Sequence, residues 1–291
     1  MRLKPCTPVL ARPDGGLQVG VARPVLLRGL DAAQQSLVRA AETAHVGARD
    51  LAVLGTAGRH LYDAGLLAED AVAPTGVVAI QGAGRVGLEL GAALAAAGLR
   101  VGFTDRRPAA EEPGLYPRRA LVSTCAGGAA WAVRERQPDA HVVDPANPSL
   151  VVLVTLGGAA RHATAQWEHD GVPHLVISLD DSGAIVGPLV VPGVTACGRC
   201  VALERTDHDP AWPALLDQLS VRAPKPAPGI VPDVVATAAR MITAHLRRAA
   251  VSGESWRIDA GAAPRRFESS PHPRCGCGAA VQTPAMARAS R

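Results

Sequence analysis

Two groups of residues in this chain have the types and spacing to do chemistry. The first is Gly82-Ala83-Gly84-Arg85-Val86-Gly87, a G-x-G-x-x-G loop between the apolar run 76–81 and the Ala/Leu-rich stretch 85–97. In that setting Gly82 permits a tight turn, Gly84 lets the backbone approach a phosphate, and Gly87 allows the helix to pack closely on the strand. The helix N-terminus, opening at Arg85, then presents free N–H groups and a positive dipole end to an anion. Asp105 follows Gly87 by 18 residues, at the end of the next expected strand, where a carboxylate would accept hydrogen bonds from ribose hydroxyls. The same glycine spacing also suits a loop that only shapes the strand-to-helix crossover. The second group is Cys197-Gly198-Arg199-Cys200 together with Cys275-Gly276-Cys277. Four thiolates in two close pairs suit tetrahedral zinc in a closed, structural site, and Gly198 and Gly276 permit the tight backbone of such knuckles. With 74 residues between Cys200 and Cys275, the metal would clasp the last segment of the chain to the edge of the main domain. His272 is surplus to that set, and Cys6 and Cys125 have no partner at a ligand spacing.

The elements that must position these groups follow from periodicity. From residue 75 onward, strands and helices alternate: strand 76–81, helix 85–97 with Gly98 at its C-cap, strand 99–104, buried strand 150–155, helix 159–169 and strand 172–179. Strand 184–191 is expected to pair with 172–179 through a turn at Asp181-Ser182-Gly183. A long helix, 231–250, and late strands 256–260 and 265–269 complete the pattern. This alternation specifies an α/β protein with a Rossmann-like, doubly wound sheet. Residues 1–72 read differently. Short strands near 8–11, 17–22 and 25–27 precede a helix capped by Asp31 over 32–43 and a second helix from Gly58 toward Gly65, a small winged-helix-like module. The domain boundary is therefore placed between 1–72 and 73–291.

Composition excludes several classes. The net charge of +4 is carried almost wholly by scattered arginines, the only lysines being Lys4 and Lys225, and no block of like charge forms a nucleic-acid footprint. Aromatic residues make up 3% of the chain, too few for a base-stacking series. The apolar runs 149–156 and 175–179 fall well short of the roughly 20 residues that span a bilayer. Met1 to Val9 has no apolar signal core, so the expectation is a cytoplasmic protein with no membrane or nucleic-acid partner.

The segment Gly187-Pro188-Leu189-Val190-Val191-Pro192-Gly193-Val194-Thr195-Ala196-Cys197-Gly198-Arg199-Cys200, joined to the glycine loop, resembles the ThiF/MoeB family, bacterial relatives of ubiquitin-activating enzymes. Asp207-His208-Asp209-Pro210-Ala211-Trp212-Pro213 and Pro271-His272-Pro273-Arg274-Cys275-Gly276-Cys277 are similar to the ThiF-like branch found with thiazole/oxazole-modified peptides. The resemblance covers roughly 75–277. It implies a ThiF-type fold, a homodimer, an N-terminal winged-helix element (here around Leu17-Gln18-Val19-Gly20) that binds a leader peptide, and a separate YcaO-type partner enzyme. Active family members bind ATP and magnesium and adenylate the C-terminus of a small carrier protein. Carried over, Gly82, Gly84, Arg85 and Gly87 would cradle phosphates and Asp105 would hold the ribose. The family's acidic positions after the fourth strand fall on Leu153 and Leu156, and its phosphate-neutralising lysine is missing, leaving Arg118 or Arg119 to supply charge.

Three functional expectations result. The leading one is a ThiF-like protein that binds a peptide or carrier-protein tail and presents it to a partner enzyme, with structural zinc and degenerate adenylation chemistry. The second is an active ATP- and magnesium-dependent adenylyltransferase using Arg118 or Arg119. The third, an NAD(P)-dependent oxidoreductase, rests on the glycine loop and Asp105 alone, since Arg106 and Arg107 beside it belong to a chain in which arginine is frequent throughout.

Overall fold

A computed structural model describes residues 2–44, 47–68, 76–247 and 253–279. The chain forms two compact units, Met1–Val72 and Ala73–Arg291.

In the first unit β1 (Arg2–Leu3), β2 (Val9–Ala11), β3 (Leu17–Val19) and β4 (Val25–Leu27) precede α1 (Ala32–Ala40), α2 (Ala48–Leu54), α3 (Thr56–Asp63) and β5 (Leu67–Ala68). Strands β2, β3 and β4 form an antiparallel meander, and β1 pairs with β5. Leu17, Val19, Val38 and Leu61 are its buried centre. Asp31 caps α1 in a capping box with Gln34, as its side-chain chemistry requires. Two expectations here are corrected. Helix α1 stops at Ala40, because Glu42 and Thr43 donate three residues back to Arg39 and Ala40 and so tighten the chain out of the α-helix. The expected single helix 58–65 is instead the second of two, separated from α2 by Gly55 at φ 53.

The second unit is built on a seven-stranded sheet. Its elements are β6 (Val77–Gln81), α4 (Arg85–Ala96), β7 (Arg100–Thr104), α5 (Cys125–Arg136), β8 (Leu150–Leu156), α6 (Arg161–His169), β9 (His174–Leu179) and β10 (Gly183–Val190). After these come α7 (Gly198–His208), α8 (Trp212–Ser220), α9 (Val231–Leu246), β11 (Glu254–Asp259) and β12 (Arg265–Glu268). The strand order is β12-β11-β10-β9-β8-β6-β7. Neighbours β7, β6, β8 and β9 run parallel, and β10, β11 and β12 extend the sheet antiparallel. The Asp180 carboxylate accepts from the Ser182 and Gly183 amides, closing the turn that brings β10 back beside β9.

Alternation along the strands divides the sheet into two faces. Val78, Ile80, Val152, Leu175, Ile177 and Leu189 pack with α4, α5 and α9 into the main core. On the other face Ala79, Val151 and Leu153 meet Ala163 and Trp167 of α6. Helices α5, α7 and α8 went unseen in the sequence. Gly127 and Gly128 dilute the helical pattern of α5, although Thr124 caps it. Helix α7 opens inside the first cysteine pair, with Cys197 as its N-cap. The long helix, expected to reach 250, is described to Leu246, and 248–250 lie outside the described residues. Among the described residues no helix is long and apolar enough to cross a membrane.

The strand-to-helix crossing at the glycine loop is close-packed. A Cβ on Gly87 would overlap the Gly82 carbonyl, whereas one on Gly84 would have no neighbour nearer than 3.9 Å. Gly87→Ala is expected to cost about 3 kcal/mol or more of stability in denaturant unfolding and Gly84→Ala under about 1 kcal/mol. Equal effects would contradict this packing.

Candidate functional site

The topological switch point of the parallel strands lies between β6 and β8, where ligands of doubly wound sheets bind. Gly82, at φ 95, turns the chain there so tightly that a Cβ would lie 2.9 Å from the Val154 carbonyl oxygen of β8. The loop is held by the protein itself. The Gly82 amide donates to Thr104, the Tyr116 hydroxyl donates to the Ala83 carbonyl at 2.8 Å, and the Ala83 amide donates to Asp105 Oδ2 at 3.0 Å.

Asp105 is therefore engaged. Arg107 Nη2 lies 2.8 Å from Oδ2 and its Nε 3.2 Å from Oδ1, and the Arg107 amide also donates to Oδ1. The far side of the same guanidinium donates to Glu112 Oε1 at 3.1 Å. Burial works against the Arg107 charge, but the hydrogen bonds to Asp105 and Glu112 outweigh it and hold the group firmly protonated. The cavity above the loop is lined by Gly82, Gly84, Arg85, Arg107, Val154, Leu179, Pro224 and Pro226, and measures about 10 Å³. That is room for about one water, against the several hundred Å³ of a typical ligand pocket.

The structure separates the charged residues expected to serve this loop. Arg85 is exposed at the mouth of the cavity. Arg118 sits exposed on the 3-10 turn Arg118–Ala120 and does not line the cavity. Arg119 is held over Trp131 and by Glu135. Leu153 is buried against the α6 side of the sheet, and Leu156 ends β8. Lys225 lies between the two prolines that cover the loop and lines a neighbouring cavity with Asp180 and Asp181. Arg107, read only as a neighbour of Asp105, is the residue that fills the site. Its i+2 spacing from Asp105 and the acidic Glu112 downstream were the available signals.

The four paired cysteines come together. Their Sγ atoms lie within 4.8 Å of one another, with Cys197 to Cys275 at 3.4 Å, Cys200 to Cys277 at 3.6 Å and Cys197 to Cys200 at 3.8 Å. Four thiolates bonded tetrahedrally at about 2.3 Å would be about 3.8 Å apart, whereas a disulfide needs about 2.05 Å. The donor set therefore fits a metal ion, and all four thiols are free. Cys197, Cys200 and Cys275 are buried and Cys277 half-buried, a closed site with no position for substrate. The hydrogen bond from Cys197 favours the Cys200 thiolate, while the Cys197 proton is held correspondingly harder. Beside the cluster, Asp207 of α7 accepts from His272 Nε2 at 2.8 Å and pairs with Arg274, so the two segments similar to the peptide-modification branch touch each other.

Between α7, α8 and the sheet lies a cavity of about 450 Å³, which no motif had indicated. Its floor is Val176, Ser178, Ile185 and Pro188, its roof Val201, Ala202, Arg205, Trp212 and Leu216, and its outer wall Phe267 and Ser269. Glu204 and His208 stand exposed at its mouth. The Arg205 guanidinium donates to the Gly157 carbonyl and lies 4.7 Å from the Trp212 ring, and burial lowers its proton affinity.

Together the sheet order, the glycine-loop crossover and the tail-to-domain cysteine cluster define a Rossmann-like fold of ThiF/MoeB type. Solved structures of that fold match along nearly the whole chain. The Escherichia coli microcin C7 biosynthetic enzyme MccB, in complex with N-formylated MccA, superposes with a TM-score of 0.58 at 14% identity, covering 95% of this chain and 99% of that one. E. coli MccB with ATP gives 0.57 at 13% identity over 95% and 99%. PaaA gives 0.52 at 15% identity over 67% and 73%. No protein-family model matches the sequence, and neither does any curated protein. At these identities the likeness is one of fold.

The cysteine geometry yields a direct expectation. Purified protein should hold about one metal ion per chain, and Cys200→Ser or Cys277→Ser should release it and cost about 3 kcal/mol or more. Because the thiols must lose protons to bind, affinity should fall as pH is lowered. Full metal retention in the double variant, measured by elemental analysis, would refute the site.

Proposed function

We propose that this protein recognises a peptide or carrier-protein tail and presents it to a partner enzyme, with the inherited adenylation chemistry degenerate. The observation that carries this reading is the contrast between the two cavities: about 450 Å³ beneath α7 and α8, about 10 Å³ at the glycine loop. Transfer of an adenylyl group needs positioned phosphates and neutralised charge. Here Asp105 is occupied by Arg107, the acidic positions are Leu153 and Leu156, and of the two cations that line the loop's cavity Arg107 is bound to carboxylates and Arg85 stands exposed at the mouth. The likeness to MccB, whose structures include complexes with MccA and with ATP, supports a role in peptide modification.

On this reading the metal is zinc, held by Cys197, Cys200, Cys275 and Cys277, and its task is structural. Residues 1–72 act as a winged-helix-like leader-peptide module, the partner is a YcaO-type enzyme, and the protein works as a cytoplasmic homodimer. Gly82, Gly84, Arg85, Gly87 and Asp105 remain as scaffold of a former nucleotide site.

Calorimetric titration should show no saturable ATP binding up to millimolar concentration, with or without magnesium. Micromolar, magnesium-dependent ATP affinity accompanied by ATP–pyrophosphate exchange would restore the active adenylyltransferase as the correct reading.

A further inference from the structure

The four sulfur atoms of the cysteine cluster do not group by sequence neighbour. The shorter separations run between the two segments, Cys197 to Cys275 at 3.4 Å and Cys200 to Cys277 at 3.6 Å. The pair at the start of α7, Cys197 to Cys200, is wider at 3.8 Å. Each thiol of α7 therefore has its own near partner on the C-terminal segment, and the two pairings do not compete. Cys275 and Cys277 have only Gly276, at φ 44, between them, and a bridge across a single residue closes a strained ring. The arrangement that suits one tetrahedral metal thus also sets out two disulfides, each joining the same two segments that the metal joins.

Access to the sulfur atoms is uneven. Cys197, Cys200 and Cys275 are 2%, 1% and 1% exposed, whereas Cys277 is half-buried, so a small oxidant meets Cys277 first. With hydrogen peroxide as that oxidant, the Cys277 thiolate attacks the O–O bond, becoming a sulfenic acid and releasing hydroxide. The Cys200 thiolate, its near partner, attacks the oxidised sulfur, forming the S–S bond and expelling a second hydroxide. Two protons from solvent convert both hydroxides to water. The divalent metal, stripped of two ligands, leaves as the aqueous ion, and a second peroxide oxidises Cys197 and Cys275 in the same way. In sum, four thiolates, two peroxides and four protons give two disulfides and four waters, with four electrons passing from sulfur to oxygen. Bridges within each segment would part α7 from the C-terminal segment, whereas bridges between them keep the two joined after the metal has gone.

We propose that the cluster is a redox-responsive metal-release site, in which peroxide exchanges the metal for disulfides Cys197–Cys275 and Cys200–Cys277 while the C-terminal segment stays fastened to α7. The proposal starts from the metal site assigned above and adds a second, oxidised form of the same closure.

The test titrates the full-length, metal-loaded Cys6→Ser protein with hydrogen peroxide, Cys6 being the exposed thiol outside the cluster. Metal read with a colorimetric chelator should be released as thiols are lost, and complete oxidation should consume about two peroxides per chain. Trypsin cuts after Arg199, between the two α7 cysteines, and leaves Cys275 and Cys277 together on peptide 275–288. Mass spectrometry should find that peptide linked to both α7 peptides, with fragmentation assigning Cys197 to Cys275 and Cys200 to Cys277. Hydrogen-exchange protection of 198–208 in the oxidised protein should stay within about twofold of the reduced, metal-bound form. A Cys197–Cys200 bridge, the crossed pairing, or sulfinic and sulfonic acids in place of bridges would each overturn the proposal. So would metal retained through about a tenfold excess of peroxide. Protein isolated without metal would refute the metal site itself, and the pairing formed on oxidising its reduced form would still decide the disulfides.

Discussion

The packing of α7 against the last strands depends on one convergence of four sulfur atoms. Cys197 and Cys200 stand at the first turn of α7, and Cys275 and Cys277 follow β12. Helix α7 is the roof of the large cavity and Phe267 of β12 part of its wall, so the cluster ties one to the other across 74 intervening residues. Without that tie the ends of this long loop would be joined chiefly by the strand pairing of β10, β11 and β12 and by the Asp207 contacts to His272 and Arg274. The first is an edge hairpin and the second is exposed to solvent, where ion pairs contribute little. Four thiolates on a metal are a stronger constraint, because forming the site and ordering the segment are one event.

The glycine loop is held by contacts of a different kind. Its geometry is intact, since Gly82 and Gly87 allow β6, β8 and α4 to approach as no other residue would. The charges beside the loop are matched within the protein. Arg107 turns back onto Asp105 and Glu112, and Pro224 and Pro226 lie over the mouth. The electrostatic demand of the carboxylates is met internally, so an incoming ribose would have to displace a charge-assisted pair to reach them. The glycine-loop crossover is thus closed by the protein's own contacts, while a chamber opens between the sheet and helices α7 and α8.

The parallel strands, the α4 crossover and the cysteine cluster were legible in the sequence because each depends on local spacing: period-two apolar runs, three glycines at fixed intervals, and two short cysteine pairs. Helices α7 and α8 were not, because α7 begins inside the first cysteine pair with no segregated apolar face, and α8 is only nine residues long. Arg205 and Trp212 carry no motif, and only the fold brings them together in the roof of the cavity. The occupation of Asp105 was equally hidden, since Arg106 and Arg107 look alike in a chain rich in arginine, and only the turn after β7 decides which reaches back.

Hydrogen exchange followed by mass spectrometry, with the metal present and after chelation, tests most directly whether the cysteine cluster builds the cavity. The amides of 198–208 and 265–268 should lose protection by at least tenfold on metal removal, while those of β6, β8 and β9 keep theirs. Unchanged protection in α7 and β12 after complete metal loss would contradict the account.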